Sequence, residues 1–143
     1  MQKKSEKLTV TIPSNLEELT TIEKLSNDIA KKMGLSEDKH DNLSIAVTEA
    51  VGNAIVHGNK RDPKKKVRIQ VEISNDRVKI SVTDQGTGFN PDDLADPLDP
   101  DNLLRESGRG IFILKALMDD VSWDFSPTGT TLRFTLKKKS SKK

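Results

Sequence analysis

The chain has no cysteine, and aromatic residues make up only 3% of its 143 positions. Without thiols it can form no disulfide framework, no thiolate metal site and no thiol nucleophile. With so few aromatics, its core must rest on Ile, Leu, Val and Ala. No apolar run approaches the roughly 20 residues that a membrane helix requires, and no signal-peptide pattern opens the sequence. These absences lead to the expectation of a soluble, cytoplasmic protein with no membrane partner. There is also no basic patch interleaved with aromatics, so no direct nucleic-acid partner is expected.

The net charge of +2 is unevenly spread. Lys3, Lys4, Glu6 and Lys7 together give the start of the chain +2, and the five lysines after Leu136 give +5. The body between them therefore carries −5. The basic ends read as solvated tails. No internal repeat or linker divides the sequence, so residues 1–143 are expected to be one domain, with its core from about Leu8 to Leu136.

Several segments announce themselves. "KLTVTI" alternates Leu8, Val10 and Ile12 with polar residues, the pattern of a half-buried strand. Residues from about Asn15 to Met33 read as a helix stopped by Gly34. Ser36 can cap a second helix that runs to about His57 and ends at Gly58. "VRIQVEI" and "RVKISVTD" are one-sided strands joined by the turn "SND". A helix is expected from about Gly108 to Met118, followed by the strands "VSWDF" and "TTLRFTL". Helices with one apolar face and strands with one apolar face imply a two-layer α/β sandwich: a mostly antiparallel sheet covered on one side. The stretch 90–107 fits no element. It holds three of the six prolines and six acidic groups, and so long a loop in a compact domain is either functional or disordered.

Four places break the apolar pattern. On a wheel with Leu43 at 0°, Glu49, Asn53 and His57 fall near about 240°, 280° and 320°, drifting into the apolar face. An unpaired buried polar group costs roughly 1–3 kcal/mol, so this row needs partners, whether within the fold, from water or from a ligand. Asp84 continues the inward face of Val78, Ile80 and Val82, where a carboxylate needs donors. It either closes its own turn or meets a ligand beside the flexible Gly86 and Gly88. Ser107 can cap a helix whose first turn contains Gly108 and Gly110; such an N-terminus favours an anion, and Arg105 and Arg109 add charge for phosphate oxygens. Thr130 lies on the strand face of Leu132 and Phe134, where a hydroxyl needs a partner.

One ligand suits all four. An inward carboxylate accepts a hydrogen bond from the exocyclic amino group of adenine, whereas guanine presents an oxygen there. Exposed backbone N–H groups suit a triphosphate. Asn53 offers a neutral oxygen to Mg²⁺, which takes its remaining ligands from phosphate and water. Glu49, one turn earlier, can polarise an attacking hydroxyl.

The segments "EAVGNAIVHG", "DQGTGF", "GRGIFILKALMD" and "TGTTLRF" resemble, in this order, the boxes of the Bergerat-type ATPases, the superfamily of gyrase, MutL and histidine kinases. Within it, the short single-domain form, "NAIVHGNK" and "ESGRGIF…LMD" closely resemble bacterial anti-sigma-factor serine/threonine kinases. The resemblance spans about Leu8 to Leu136 and implies the Bergerat ATP-binding fold. It implies Asn53 as the metal-binding asparagine, Glu49 as catalytic base, and Asp84, helped by Thr130, at adenine. It further implies a nucleotide-binding set of Gly86, Gly88, Phe89, Arg105, Ser107, Gly108, Arg109, Gly110 and Ile111, with 90–107 as a mobile lid. In some relatives an arginine directly precedes the serine of the second glycine box; here Glu106 stands there and Arg105 one place before. His57 is expected to be structural. ATP and Mg²⁺ are the implied cofactors. A sigma factor and a small anti-anti-sigma antagonist, phosphorylated on serine or threonine, are the implied partners of a homodimer. The alternatives are an ATP-binding regulator without phosphotransfer, or a detached histidine-kinase catalytic domain. The latter would need a phosphoacceptor helix, and none is read before Leu8; His40 reads as a surface residue.

Overall fold

The computed structural model describes residues 5–86 and 108–139. Its elements are β1 (Glu6–Pro13), a 3₁₀ turn (Leu16–Glu18), α1 (Leu19–Met33), α2 (Glu37–Asn53), a π-turn (Ala54–Gly58), β2 (Lys66–Ile73), β3 (Arg77–Thr83), α3 (Gly108–Leu117), β4 (Asp120–Ser126) and β5 (Gly129–Lys137). The five strands form one sheet in the order β1-β2-β3-β5-β4, with every pairing antiparallel.

The alternation in the strands is what makes the sheet two-faced. Leu8, Val71, Ile80, Phe134 and Val121 lie opposite one another in a single row across all five strands, and Val10, Ile69, Val82, Leu132 and Trp123 form the next. These rows share one apolar cluster with Ile22 and Ile29 of α1, Leu43, Val47 and Val51 of α2, and Leu114 of α3. Each fully buried aliphatic side chain contributes about 1.5–3 kcal/mol of transfer free energy, so the helices are held to this face alone. The opposite face carries rows such as Lys7, Glu72, Lys79, Thr135 and Asp120. Charges of opposite sign there alternate across the strands and stay solvated. The expected two-layer α/β sandwich is the fold.

Local signals set most boundaries. Gly34 takes the left-handed conformation (φ 66°), and its N–H closes onto the carbonyls of Ala30 and Lys31; only glycine adopts this without strain. The Ser36 hydroxyl accepts from the Lys39 N–H at 3.3 Å and caps α2. In the β2–β3 hairpin the Ser74 N–H donates to the Arg77 carbonyl at 2.8 Å.

Three boundaries differ from expectation. Asn15 caps the 3₁₀ turn through the Glu17 N–H, and the α-helix proper starts only at Leu19. The second helix stops being α-helical at Asn53, and Ala54–Gly58 form a π-turn closed by the Asn59 N–H on the Ala54 carbonyl at 2.8 Å. Nor is Gly58 the left-handed terminator. Among the described residues the positive φ values belong to Gly34, Lys60 (54°), Arg61 (60°) and Gly129. The chain therefore turns two residues beyond Gly58, and the need for glycine at 58 has another cause.

Candidate functional site

That cause is Asp84. The residue follows β3 directly and is only 7% exposed. Its backbone extends the β3–β5 ladder, with its N–H donating to the Thr130 carbonyl at 3.0 Å. Its Oδ1 accepts from two backbone N–H groups, Gly86 at 3.0 Å and Thr130 at 3.1 Å. The Gly86 bond is the self-closed turn, so that reading of Asp84 is correct for one oxygen. Oδ2 accepts no hydrogen bond among the described residues. Burial raises the Asp84 pKa above the usual carboxylate value, while the N–H groups of Gly86 and Thr130 and the charge of Lys65 pull it back.

Three glycines enclose this carboxylate. A Cβ built on Gly58 would overlap the Asp84 carboxylate, one on Gly86 would overlap the Gly58 carbonyl oxygen, and one on Gly129 would overlap the Asp84 carbonyl oxygen. Gly58 is thus a close approach of the helix end to the buried acid. Replacing Gly58 with alanine is expected to cost about 1–3 kcal/mol, the usual penalty for overpacking. A denaturant titration checks this, and an unchanged midpoint would refute the close approach.

The polar row of α2 approaches the same region. Glu49 and Asn53 stand one turn apart and share a face. Both are half-buried, and neither side chain makes a hydrogen bond among the described residues. The Asn53 amide nitrogen is itself sealed from solvent without a partner. Because the turn beyond Asn53 is wider than an α-turn, half-buried His57 does not continue the row at the expected azimuth. It takes part in an interaction of its own. On β5, the Thr130 hydroxyl is the second buried polar atom without a partner among the described residues. Native folds leave few such atoms unpaired. Here the two fall on residues singled out for a ligand, which is how a polar small molecule would find donors and acceptors already dehydrated.

Helix α3 begins at Gly108, so Gly108, Arg109, Gly110 and Ile111 form its first turn. Its buried Leu114 anchors it in the core beside α2. Gly88, Phe89, Arg105, Ser107 and the 90–107 lid lie outside the described residues. The structure therefore brings together Asp84, Gly86, Thr130 and the end of the helix that carries Glu49 and Asn53. Two contributors are absent from the sequence reading. Gly129 looks like an ordinary hairpin residue until its contact with Asp84 is seen. Asn59, fully buried, follows a glycine and reads as a turn residue; nothing local signals its burial.

Comparison with known proteins bears on the family and the fold. The sequence profile described as "Histidine kinase-like ATPase domain" matches residues 12–136. The chain is similar to the serine-protein kinase RsbW of Staphylococcus epidermidis, with 31% identity over 92% of this chain and 87% of the relative. It is similar to that of Staphylococcus aureus strain JH9 at 30%, covering 94% and 89%. Among solved structures, the RsbU and RsbW domains of a Mycobacterium tuberculosis protein superpose with TM-score 0.67 at 19% identity over 92% of this chain. The chain spans 31% of that structure's length. The catalytic domain of the histidine kinase ThkA superposes with TM-score 0.56 at 17% identity, covering 96% of this chain and 97% of that domain. These two likenesses concern the fold.

Proposed function

The chain belongs to the histidine kinase-like ATPase domain family, and we propose that it is an ATP-dependent serine/threonine protein kinase that acts as an anti-sigma factor. In this reading it binds a sigma factor and phosphorylates a small anti-anti-sigma antagonist, working as a cytoplasmic homodimer of single-domain subunits. The observation that carries the nucleotide assignment is the pairing of Asp84 with Thr130: among the described residues, a buried carboxylate with one oxygen unused, held by the backbone of a threonine whose hydroxyl has no partner. The kinase relatives support the choice of reaction.

The division of labour follows from chemistry. Asp84 accepts from the exocyclic amino group of adenine, and the Thr130 hydroxyl satisfies itself on the same base. Exposed N–H groups at the α3 N-terminus would receive the phosphates, with Arg105 or Arg109 supplying positive charge, while the Gly86 N–H stays on the Asp84 carboxylate. Asn53 would hold Mg²⁺. The fit is good, since Mg²⁺ keeps waters and phosphate oxygens and needs few protein ligands. Among the described residues there is no cluster of three or more acidic or histidine side chains that could form a protein cage instead. When bound, the ion offsets the charge that develops on the transferring phosphoryl group. Glu49 accepts the proton of the attacking serine hydroxyl as the new O–P bond forms and the bond to ADP breaks.

Purified protein incubated with γ-labelled ATP and a co-encoded small antagonist is expected to place label on an antagonist serine or threonine. ATP binding without transfer would favour the regulatory reading, and absence of ATP binding would reject the site.

A further inference from the structure

We infer that Asn59 is a positioning residue that locks the Asp84 loop to the end of α2 and so sets the nucleotide site; this rests on the nucleotide reading proposed above. Asn59 is 0% exposed, yet every polar end of its amide is satisfied. Its Nδ2 donates to the Lys66 carbonyl at 3.0 Å and to Ser14 Oγ at 2.8 Å. Its Oδ1 accepts from the Gln85 N–H at 2.7 Å. With a backbone carbonyl on one side and a backbone N–H on the other, the amide fits only one way round. Gln85 then closes a circuit, because its own Oε1 accepts from the Lys66 N–H at 2.6 Å. Asn59, Lys66 and Gln85 thus form a closed ring of hydrogen bonds. Ser14, donating to the Lys65 carbonyl at 2.7 Å, buttresses it from the end of β1.

The ring sits between the two halves of the site. Gln85 is the residue between Asp84 and Gly86, and the Gly86 N–H is one of the two donors that fix the Asp84 carboxylate. On the other side, the Asn59 N–H closes the π-turn on Ala54, the residue after Asn53. One side chain therefore joins the segment leading from Asn53 to the loop that carries Asp84. Without it, Gly58 could still approach the acid, but the loop would have lost the donor–acceptor pair that registers it against α2 and β2. A residue that only supported the fold would change stability alone. A positioning residue also changes how the base is read.

The test compares wild type with Asn59→Ala and Gln85→Ala by titration with ATP and GTP, thermal melting and amide hydrogen exchange at Gln85 and Gly86. Asn59→Ala is expected to lower Tm. Well below its melting point, it should weaken ATP binding about tenfold or more, the scale of one disturbed hydrogen bond to a charged group. It should also narrow the preference for ATP over GTP and speed exchange at both amides. Gln85 is exposed, so Gln85→Ala keeps the fold. It is expected to weaken ATP binding several-fold with Tm nearly unchanged, and it decides the matter if Asn59→Ala does not fold. Unchanged ATP affinity, base preference and amide exchange in the folded variants would overturn the inference, whatever happens to Tm. Wild type that fails to bind ATP would reject the nucleotide reading instead. Amide exchange then decides alone: faster exchange in the variants upholds the lock, and unchanged exchange overturns it.

Discussion

Asp84→Asn is expected to abolish adenine recognition and, at the same time, to make the nucleotide-free protein more stable at neutral pH. Asparagine keeps an oxygen for the N–H groups of Gly86 and Thr130, so the turn survives. Its amide N–H₂, however, replaces the unused acceptor with a donor that opposes the adenine amino group. Loss of a buried hydrogen bond to a charged partner, with the mismatch added, corresponds to a fall in ATP affinity of about a hundredfold or more. The stability gain follows from the pKa. Burial raises the folded-state value of Asp84 above that of the unfolded chain, so the folded protein holds this proton more tightly. The ionised acid carries no penalty below the unfolded pKa and its full penalty above the folded one. Wild type should therefore lag the variant at pH 7, with the gap closing as pH falls towards about 4, the ordinary aspartate range. Melting curves of both proteins across that window check the sign. A variant less stable than wild type at pH 7 would show that the carboxylate is net stabilising in the free protein.

Glu49→Gln is expected to separate binding from chemistry. The side chain is half-buried and makes no hydrogen bond among the described residues, so the isosteric amide should leave Tm and ATP affinity close to wild type. Glutamine cannot take a proton, and removal of a general base lowers turnover by about 10²–10⁴-fold. Single-turnover transfer of labelled phosphate to the antagonist measures this directly. Transfer at the wild-type rate would remove Glu49 from the chemistry and leave it as a half-buried polar residue of α2.

The parts of this molecule that were legible in the sequence are those where local pattern and tertiary environment coincide. The sheet was legible because each strand meets helices on one face and water on the other, so Val67, Ile69, Val71 and Ile73 advertise their side. Asp84 stood out for the same reason: a charge that continues an apolar alternation must be buried. Asn53 and Thr130 were legible as polar groups on inward positions, and among the described residues they are the two left with orphaned buried atoms. What failed was what local pattern cannot carry. A π-turn differs from an α-turn by one residue in its hydrogen bonds, and "AIVHG" shows no composition that would mark it. Gly58 looked like a helix stop because glycine there commonly is one, whereas the actual reason is a contact with a residue 26 positions away. Asn59 and Gly129 escaped for a related reason: asparagine and glycine are ordinary turn residues, and only the packed structure reveals what they touch.

On the proposed reading, Asp84 and Thr130 read adenine and Asn53 holds the phosphates through Mg²⁺. Titration calorimetry of the wild-type chain with ATP and GTP, each with and without Mg²⁺, tests this central claim most directly, with Asn53→Ala run alongside. ATP should bind in preference to GTP and more tightly with Mg²⁺, and Asn53→Ala should lose the Mg²⁺-dependent increment while keeping the preference for ATP. Equal binding of ATP and GTP, or a Mg²⁺ effect undiminished in Asn53→Ala, would contradict it.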